Sequence, residues 1–162
     1  PILNGVYKLV ALRQDDEWTP AIKVSETPAK TLNPGNKRVW RLYGKDGNAT
    51  ADLVAFDDET PAKASELELH HPTETGVQRT LRNEDVSNIE PLHVDILAEG
   101  RQVYECPSIE DLRDHRKEDM KHLDAGVCRL MNPHVYHVSL SESVWRLKQE
   151  LIRSFTKSPE ES

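Results

Sequence analysis

Hydrophobic and polar residues alternate with a short period over the first two thirds of the chain and with a longer one after that. Val6 to Leu12 reads as an apolar strand closed by the polar turn Arg13-Gln14-Asp15-Asp16-Glu17. Thr19 to Ser25 reads as a second strand, with Pro20 near its entry, where an edge position tolerates the missing N–H. Pro28 and Asn33-Pro34-Gly35 then mark a loop. Arg38–Tyr43 and Ala51–Phe56 flank Asp46-Gly47, a hairpin signal because the favoured two-residue turns need positive φ. Leu67 and Leu69 alternate with Glu66, Glu68 and His70, the period of a half-exposed strand. Leu92–Leu97 and Arg101–Tyr104 flank Ala98-Glu99-Gly100 and predict a further hairpin.

The period changes at Pro107. Ser108 is placed as the N-cap of a helix whose first turn carries Glu110 and Asp111, acids that the helix dipole favours. Ile109, Leu112, Met120, Leu123, Val127 and Leu130 recur at helical spacing. The spacing predicts one helix ending at Asn132-Pro133, or a pair broken near Gly126. A short extended piece, Val135 to Val138, follows. A last helix begins at Ser139 or Ser141 and buries Leu140, Val144, Leu147 and Leu151. The fold expected from this order is α+β, an antiparallel β meander in the first two thirds followed by two or three C-terminal helices.

Composition narrows the class. Hydrophobic residues make up 36% of the 162 positions and charged residues 30%, which predicts a modest core under a highly charged surface. No apolar run is long enough to span a bilayer, and no basic-then-apolar leader opens the sequence, so no membrane role and a cytoplasmic setting are expected. Cys106 and Cys128 form no C-x-x-C pair and are expected to be reduced. A formal net charge of −7 argues against nucleic acid as a partner. The charge is uneven: Lys23, Lys30, Lys37, Arg38, Arg41 and Lys45, opposed by Glu26 alone, give residues 21–45 a charge of +5 and leave −12 elsewhere. Such a segment is a solvated charged face, docks on an acidic surface or lies beside a polyanionic ligand.

The motifs of common catalytic centres are missing: no G-x-G-x-x-G, no Walker Gly-Lys-Ser/Thr, no H-E-x-x-H, no nucleophile elbow. Seven histidines raise the question of a metal. His70 and His71 are adjacent and face opposite sides of a strand, while His115 and His122 lie two helical turns and ~10 Å apart. Solvated histidines and no metal site are therefore expected. Asp57-Asp58-Glu59-Thr60 reads as an acidic turn, because Pro61 follows and no glycine is near to cradle a phosphate. Trp40 and Trp145 read as core or interface anchors.

Three stretches in one order carry a family resemblance. Gly5-Val6-Tyr7-Lys8-Leu9-Val10 comes first. Next is Ile22-Lys23-Val24-Ser25-Glu26 with Pro28, Lys30, Pro34-Gly35 and Lys37, continuing into Val39-Trp40-Arg41-Leu42-Tyr43 and Ala51-Asp52-Leu53. Last is Pro107-Ser108-Ile109 with Arg113, then Asn132-Pro133, Tyr136, Val138, Leu140-Ser141-Glu142 and Trp145 to Leu151. Together they resemble the C-terminal portion of nicotinate phosphoribosyltransferases. The least family-like stretch, about residues 60–88, reads as a variable insert. The resemblance implies an accessory domain over residues 1–155 with a frayed tail at 156–162. It implies a parent enzyme of NAD biosynthesis that joins nicotinate to phosphoribosyl pyrophosphate, using ATP and Mg2+. The expected partners are the parent's catalytic barrel and a second copy in a homodimer. The family's catalytic motifs lie upstream of this portion, so no catalytic residue, resident cofactor or metal is expected here. Lys8, Lys23, Lys30, Lys37 and Arg38 are the candidate phosphate-ligand or barrel-facing contacts. A free-standing binding or regulatory module without chemistry is the other reading.

Overall fold

The computed structural model describes residues 6–156. Gly5 and the proposed tail from residue 157 onward lie outside the described residues, and Thr156 is the last residue of a helix.

The chain enters through an extended segment and a small hairpin, β1 (Ala11–Gln14) and β2 (Glu17–Pro20). Asp15 and Asp16 make its turn with φ of 48° and 65°, the positive-φ pair that a tight hairpin requires. The loop after β2 folds back and ends at Gly35, whose N–H donates to the Val10 carbonyl at 2.7 Å. Gly35 has φ +93°, and a Cβ there would lie 2.4 Å from Phe56 Cε1, so both backbone and space demand glycine.

The main sheet comprises β3 (Lys37–Gly44), β4 (Ala49–Phe56), β5 (Glu66–His70), β6 (Gln78–Arg82), β7 (Val86–Pro91) and, between the two helices, β10 (Val138–Leu140). A separate short hairpin joins β8 (Leu97–Ala98) to β9 (Arg101–Gln102). Helix α1 spans Ile109–Lys121 and α2 spans Glu142–Thr156. Neither is long and apolar enough to cross a membrane.

The expected meander followed by two or three helices is not what forms. Strand order in the sheet is β6-β5-β10-β4-β3-β7, a mixed half-barrel. The three residues of β10 pair in parallel with Asp52, Leu53 and Val54 of β4, and Leu140 pairs antiparallel with His70 of β5. A late strand thus sits at the centre of the sheet, and among the described residues there are two α-helices, one on either side of it in sequence. The reason is physical. Period-2 patterning reports which face a residue takes, not which strand lies beside it, and a three-residue strand is too short to show a period.

Register divides the sheet into two unlike faces. Leu42, Ala51, Leu53, Ala55, Leu67, Leu69 and Leu81 form the core cluster, with Trp40 and Ile89 packed against it. The alternate positions, Arg41, Tyr43, Asp52, Val54, His70 and Glu90, take the opposite face, as the pairings Arg41↔Asp52 and Arg41↔Glu90 require. Both helices lie on that second face. In α2, Val144 is fully buried and Trp145 stacks on His70 with ring centroids 4.6 Å apart. Near the end of α1, His122 packs edge-on against Tyr43, and its carbonyl accepts from Ala49 N–H at 2.7 Å.

The Ser108 cap forms as expected. Its hydroxyl accepts from Asp111 N–H, and the Asp111 carboxylate accepts from Ser108 N–H, a full capping box. The helix does not run on to Leu130. Asp124 ends the region in a turn, accepting from Gly126 N–H on its side chain and from Val127 N–H on its carbonyl. Gly126 is buried against His134, whose Nδ1 would be 2.3 Å from a Cβ at that position. The apolar stripe of α1 is exposed: Ile109 and Leu112 keep 64% and 50% of their surface.

Candidate functional site

The loop from Ala21 to Leu32 is held against the entering segment, with Ala21 N–H donating to the Val10 carbonyl at 2.9 Å. Thr31 closes its base. The Thr31 hydroxyl accepts from Ser25 N–H at 3.2 Å and lies 3.3 Å from the Ser25 carbonyl, to which it donates. A single 3₁₀ turn, Pro28–Lys30, carries Lys30 back toward the entering segment. The result is a cavity of about 610 Å³ lined by Tyr7, Lys8, Lys23, Ser25 and Lys30 with apolar neighbours. Among the described residues, three lysines and no acidic residue line it. None of the three lysines has a carboxylate partner among the described residues. A pocket of one sign attracts and holds anions, phosphates above all.

The other two basic residues singled out from the sequence lie elsewhere. Lys37 starts β3 and donates to the Gly35 carbonyl, and burial pulls its pKa down to about 8. Arg38 pairs with Asp57 across the β3–β4 hairpin, and the hydrogen bond to Asp57 raises its pKa. Three of the five candidates therefore meet in one cavity, while two are spent on local contacts. A count of charge along the chain cannot make that separation.

Two polar clusters on the helix-bearing face join distant elements. Arg41 forks onto Asp52, with Nε to Oδ1 at 2.9 Å and Nη2 to Oδ2 at 3.2 Å, and reaches Asp119 of α1 at 2.7 Å through Nη1. Tyr136 donates to Asp52 Oδ1 at 2.8 Å. Burial, followed by the Asp52 hydrogen bond, pushes the Tyr136 phenol well above its ordinary value. Tyr43 donates to Glu90 at 2.6 Å, and burial followed by that contact pushes its phenol up to about 12.

The second cluster was not expected from the sequence. His70, far from solvated, keeps only 4% of its surface and contacts Glu142 Oε2 through Nε2 at 2.7 Å. Glu68 Oε2 lies 3.6 Å from the same nitrogen. A hydrogen bond with Glu68, then contacts with His70 and Arg146, hold the Glu142 carboxyl below the usual carboxylate range. Glu68 and His70 are two apart on one strand, so their shared face was legible. Glu142 comes from a helix far along the chain, and no local pattern pointed to it. Nearby, Lys148 is buried and donates to Asn33 Oδ1 at 2.8 Å and to the Pro72 carbonyl at 2.7 Å.

Comparison with known proteins identifies this architecture. The family model described as the nicotinate phosphoribosyltransferase C-terminal domain matches residues 36–148, more than half of the chain. Nicotinate phosphoribosyltransferase of Bacillus subtilis (strain 168) is 30% identical over 162 residues, covering 99% of this chain and 32% of that protein. The human enzyme is 33% identical over 154 residues, covering 93% of this chain and 27% of its own length. The crystal structure of human Nicotinic Acid Phosphoribosyltransferase superposes with a TM-score of 0.65 at 27% identity, over 75% of this chain and 24% of that one. The chain thus spans about a third or less of the length of these relatives. With its mixed half-barrel and ordered match, the chain belongs to the nicotinate phosphoribosyltransferase C-terminal domain family.

Proposed function

We propose that this chain is the C-terminal domain of a cytoplasmic enzyme that joins nicotinate to phosphoribosyl pyrophosphate. The products are nicotinate mononucleotide and pyrophosphate, with ATP hydrolysis coupled, a step of NAD biosynthesis. In this reading the domain contributes no catalytic group. It docks on the parent's barrel, supports a homodimer and presents its lysine cavity at the border of the substrate site. ATP and Mg2+ serve the parent. The lysine cavity suits the phosphates of ATP but not a bare cation, since the charged residues described in its lining are all lysines.

The observation that carries this reading is the surface around that cavity. Val6, Tyr7, Leu9, Leu12, Trp18 and Val24 are all exposed, Tyr7 at 87%. So many apolar side chains in about twenty residues is what a docking face looks like when its cover is another part of the polypeptide. Arg41 and Asp52, and Lys148 and Asn33, are by contrast engaged with each other. They act as struts between elements.

The test is product formation. The longer enzyme should convert nicotinate, phosphoribosyl pyrophosphate and ATP to nicotinate mononucleotide, while the 162-residue chain should not. Product from the chain alone would end the accessory reading. Charge reversal at Lys23 and Lys30 in the longer enzyme should raise the apparent KM for the phosphorylated substrates and leave thermal unfolding unchanged. An unaltered KM would leave the cavity a docking role only.

A further inference from the structure

Glu68, His70 and Glu142 place their ligand atoms within 4.8 Å of one another. His70 Nε2 lies 2.7 Å from Glu142 Oε2 and 3.6 Å from Glu68 Oε2. Nε2 thus reaches Glu142 at hydrogen-bond distance, with the Glu68 carboxylate just beyond that distance from the same nitrogen. A cation at the point where the three converge would take one donor atom from each. From these three side chains we infer a site for a single divalent transition-metal ion of the Zn2+ type, clamping β5 to the first turn of α2.

The geometry needs little adjustment. Four-coordinate zinc holds nitrogen and carboxylate oxygen at about 2.0–2.2 Å, which sets neighbouring donors about 3.3 Å apart. Opening the His70–Glu142 contact and closing on Glu68 takes movements on that scale. Glu68 is free to make them, with a side chain that keeps 51% of its surface. The supports of a metal site are also present. Trp145 stacks on the His70 ring at an interplanar angle of 18° and fixes its plane. Arg146 holds the other oxygen of Glu142, leaving Oε2 directed at the imidazole.

An entry path is visible as well. Glu68 and Glu142 line a cavity of about 390 Å³ together with Glu59 and Glu66, and among the described residues no basic one shares the wall. Its negative potential draws cations toward the ligand cluster, and its open side leaves a fourth position for water. The donor set selects the metal. An imidazole with two carboxylates suits Zn2+ and its neighbours, whereas Mg2+ and Ca2+ prefer oxygen alone.

Titration calorimetry of the chelator-stripped chain with Zn2+ tests the site, paired with the visible absorption of bound Co2+. One ion per chain is expected. Glu68→Gln, which leaves the His70–Glu142 contact and the Trp145 stack in place, should weaken Zn2+ binding about tenfold or more. Its unfolding temperature without metal should stay at that of the parent. His70→Gln should abolish the Co2+ spectrum. Absence of binding by the parent overturns the inference. Binding that survives both substitutions does so too, because it would then belong to exposed histidines such as His115 or His134.

Discussion

Removing the Tyr136 hydroxyl probes the contact that fastens the segment before β10 to the centre of the sheet. Asp52 accepts three hydrogen bonds, two from Arg41 and one from Tyr136 at 2.8 Å. Asp52 and Arg41 keep only 12% and 15% of their side-chain surface, so water replaces a lost partner poorly. A hydrogen bond to a charged group contributes about 1.5–3 kcal/mol. Tyr136→Phe leaves the carboxylate its Arg41 fork, which places the cost near the bottom of that range, about 1.5 kcal/mol. For a chain of this size that lowers Tm by roughly 3–6 °C. Asp52→Asn should cost more, about 2–3 kcal/mol, since it sets an amide group against the Arg41 donors while Asp119 still balances part of the charge. The two changes share one acceptor, so the double variant should fall short of additivity by at least about 0.5 kcal/mol. Urea unfolding followed by tryptophan fluorescence and circular dichroism measures all three. The Tyr136 phenol should also titrate at lower pH in Asp52→Asn, because the carboxylate contact helps to hold it up. Additive costs, or a Tyr136→Phe loss below about 0.3 kcal/mol, would show that the network does not hold β10 in place.

Further expectations concern single positions. Gly35→Ala meets both positive φ and Phe56, and should cost about 2–4 kcal/mol in urea unfolding. Gly47→Ala has φ +78° with nothing within 4 Å of a Cβ, and should cost only about 1 kcal/mol; equal losses would refute the Phe56 contact. For Lys37, burial lowers the folded-state pKa to about 8 from 10.5. Below about 8 the ammonium is present in both states, and the folded state carries the full desolvation cost. Between about 8 and 10.5 the fold sheds that proton first, so this group's contribution to stability rises with pH. Lys37→Met should therefore stabilise at pH 7, by roughly 1 kcal/mol after the lost bond to Gly35 is counted, and the gain should shrink toward pH 10. A gain that is flat with pH would contradict the assigned cause.

Features set by a few neighbouring residues were legible in the sequence. The hairpins at Asp46-Gly47 and Glu99-Gly100 form where turn chemistry placed them, and Ser108 caps α1; the polar turn expected over Arg13–Glu17 tightens to Asp15-Asp16, with Arg13, Gln14 and Glu17 in the flanking strands. The final helix begins after Ser141, whose hydroxyl accepts from Val144 N–H at 3.4 Å. What depended on distant partners was not legible. β10 shows only Val138 and Leu140 as apolar positions, and its place between β4 and β5 is a long-range pairing. β6, with Leu81 as its one apolar residue, carries no alternation to read. The helical stripe of α1 was real as a spacing, yet Ile109 and Leu112 face away from the sheet, because α1 is attached through Asp119 and His122 near its end. Among the candidate site residues, charge count gathered five basic side chains. Only the fold separated Lys8, Lys23 and Lys30, which share a cavity, from Lys37 and Arg38, which have local partners.

In the proposed function, the exposed apolar strip beside the lysine cavity docks against the rest of a longer enzyme. Amide hydrogen exchange over residues 6–24, compared between the 162-residue chain and the longer enzyme, measures that cover directly. Strong additional protection of this segment in the longer enzyme is expected, with β3 and β4 exchanging alike in both. Equal exchange over residues 6–24 in the two proteins would show that this face is not covered.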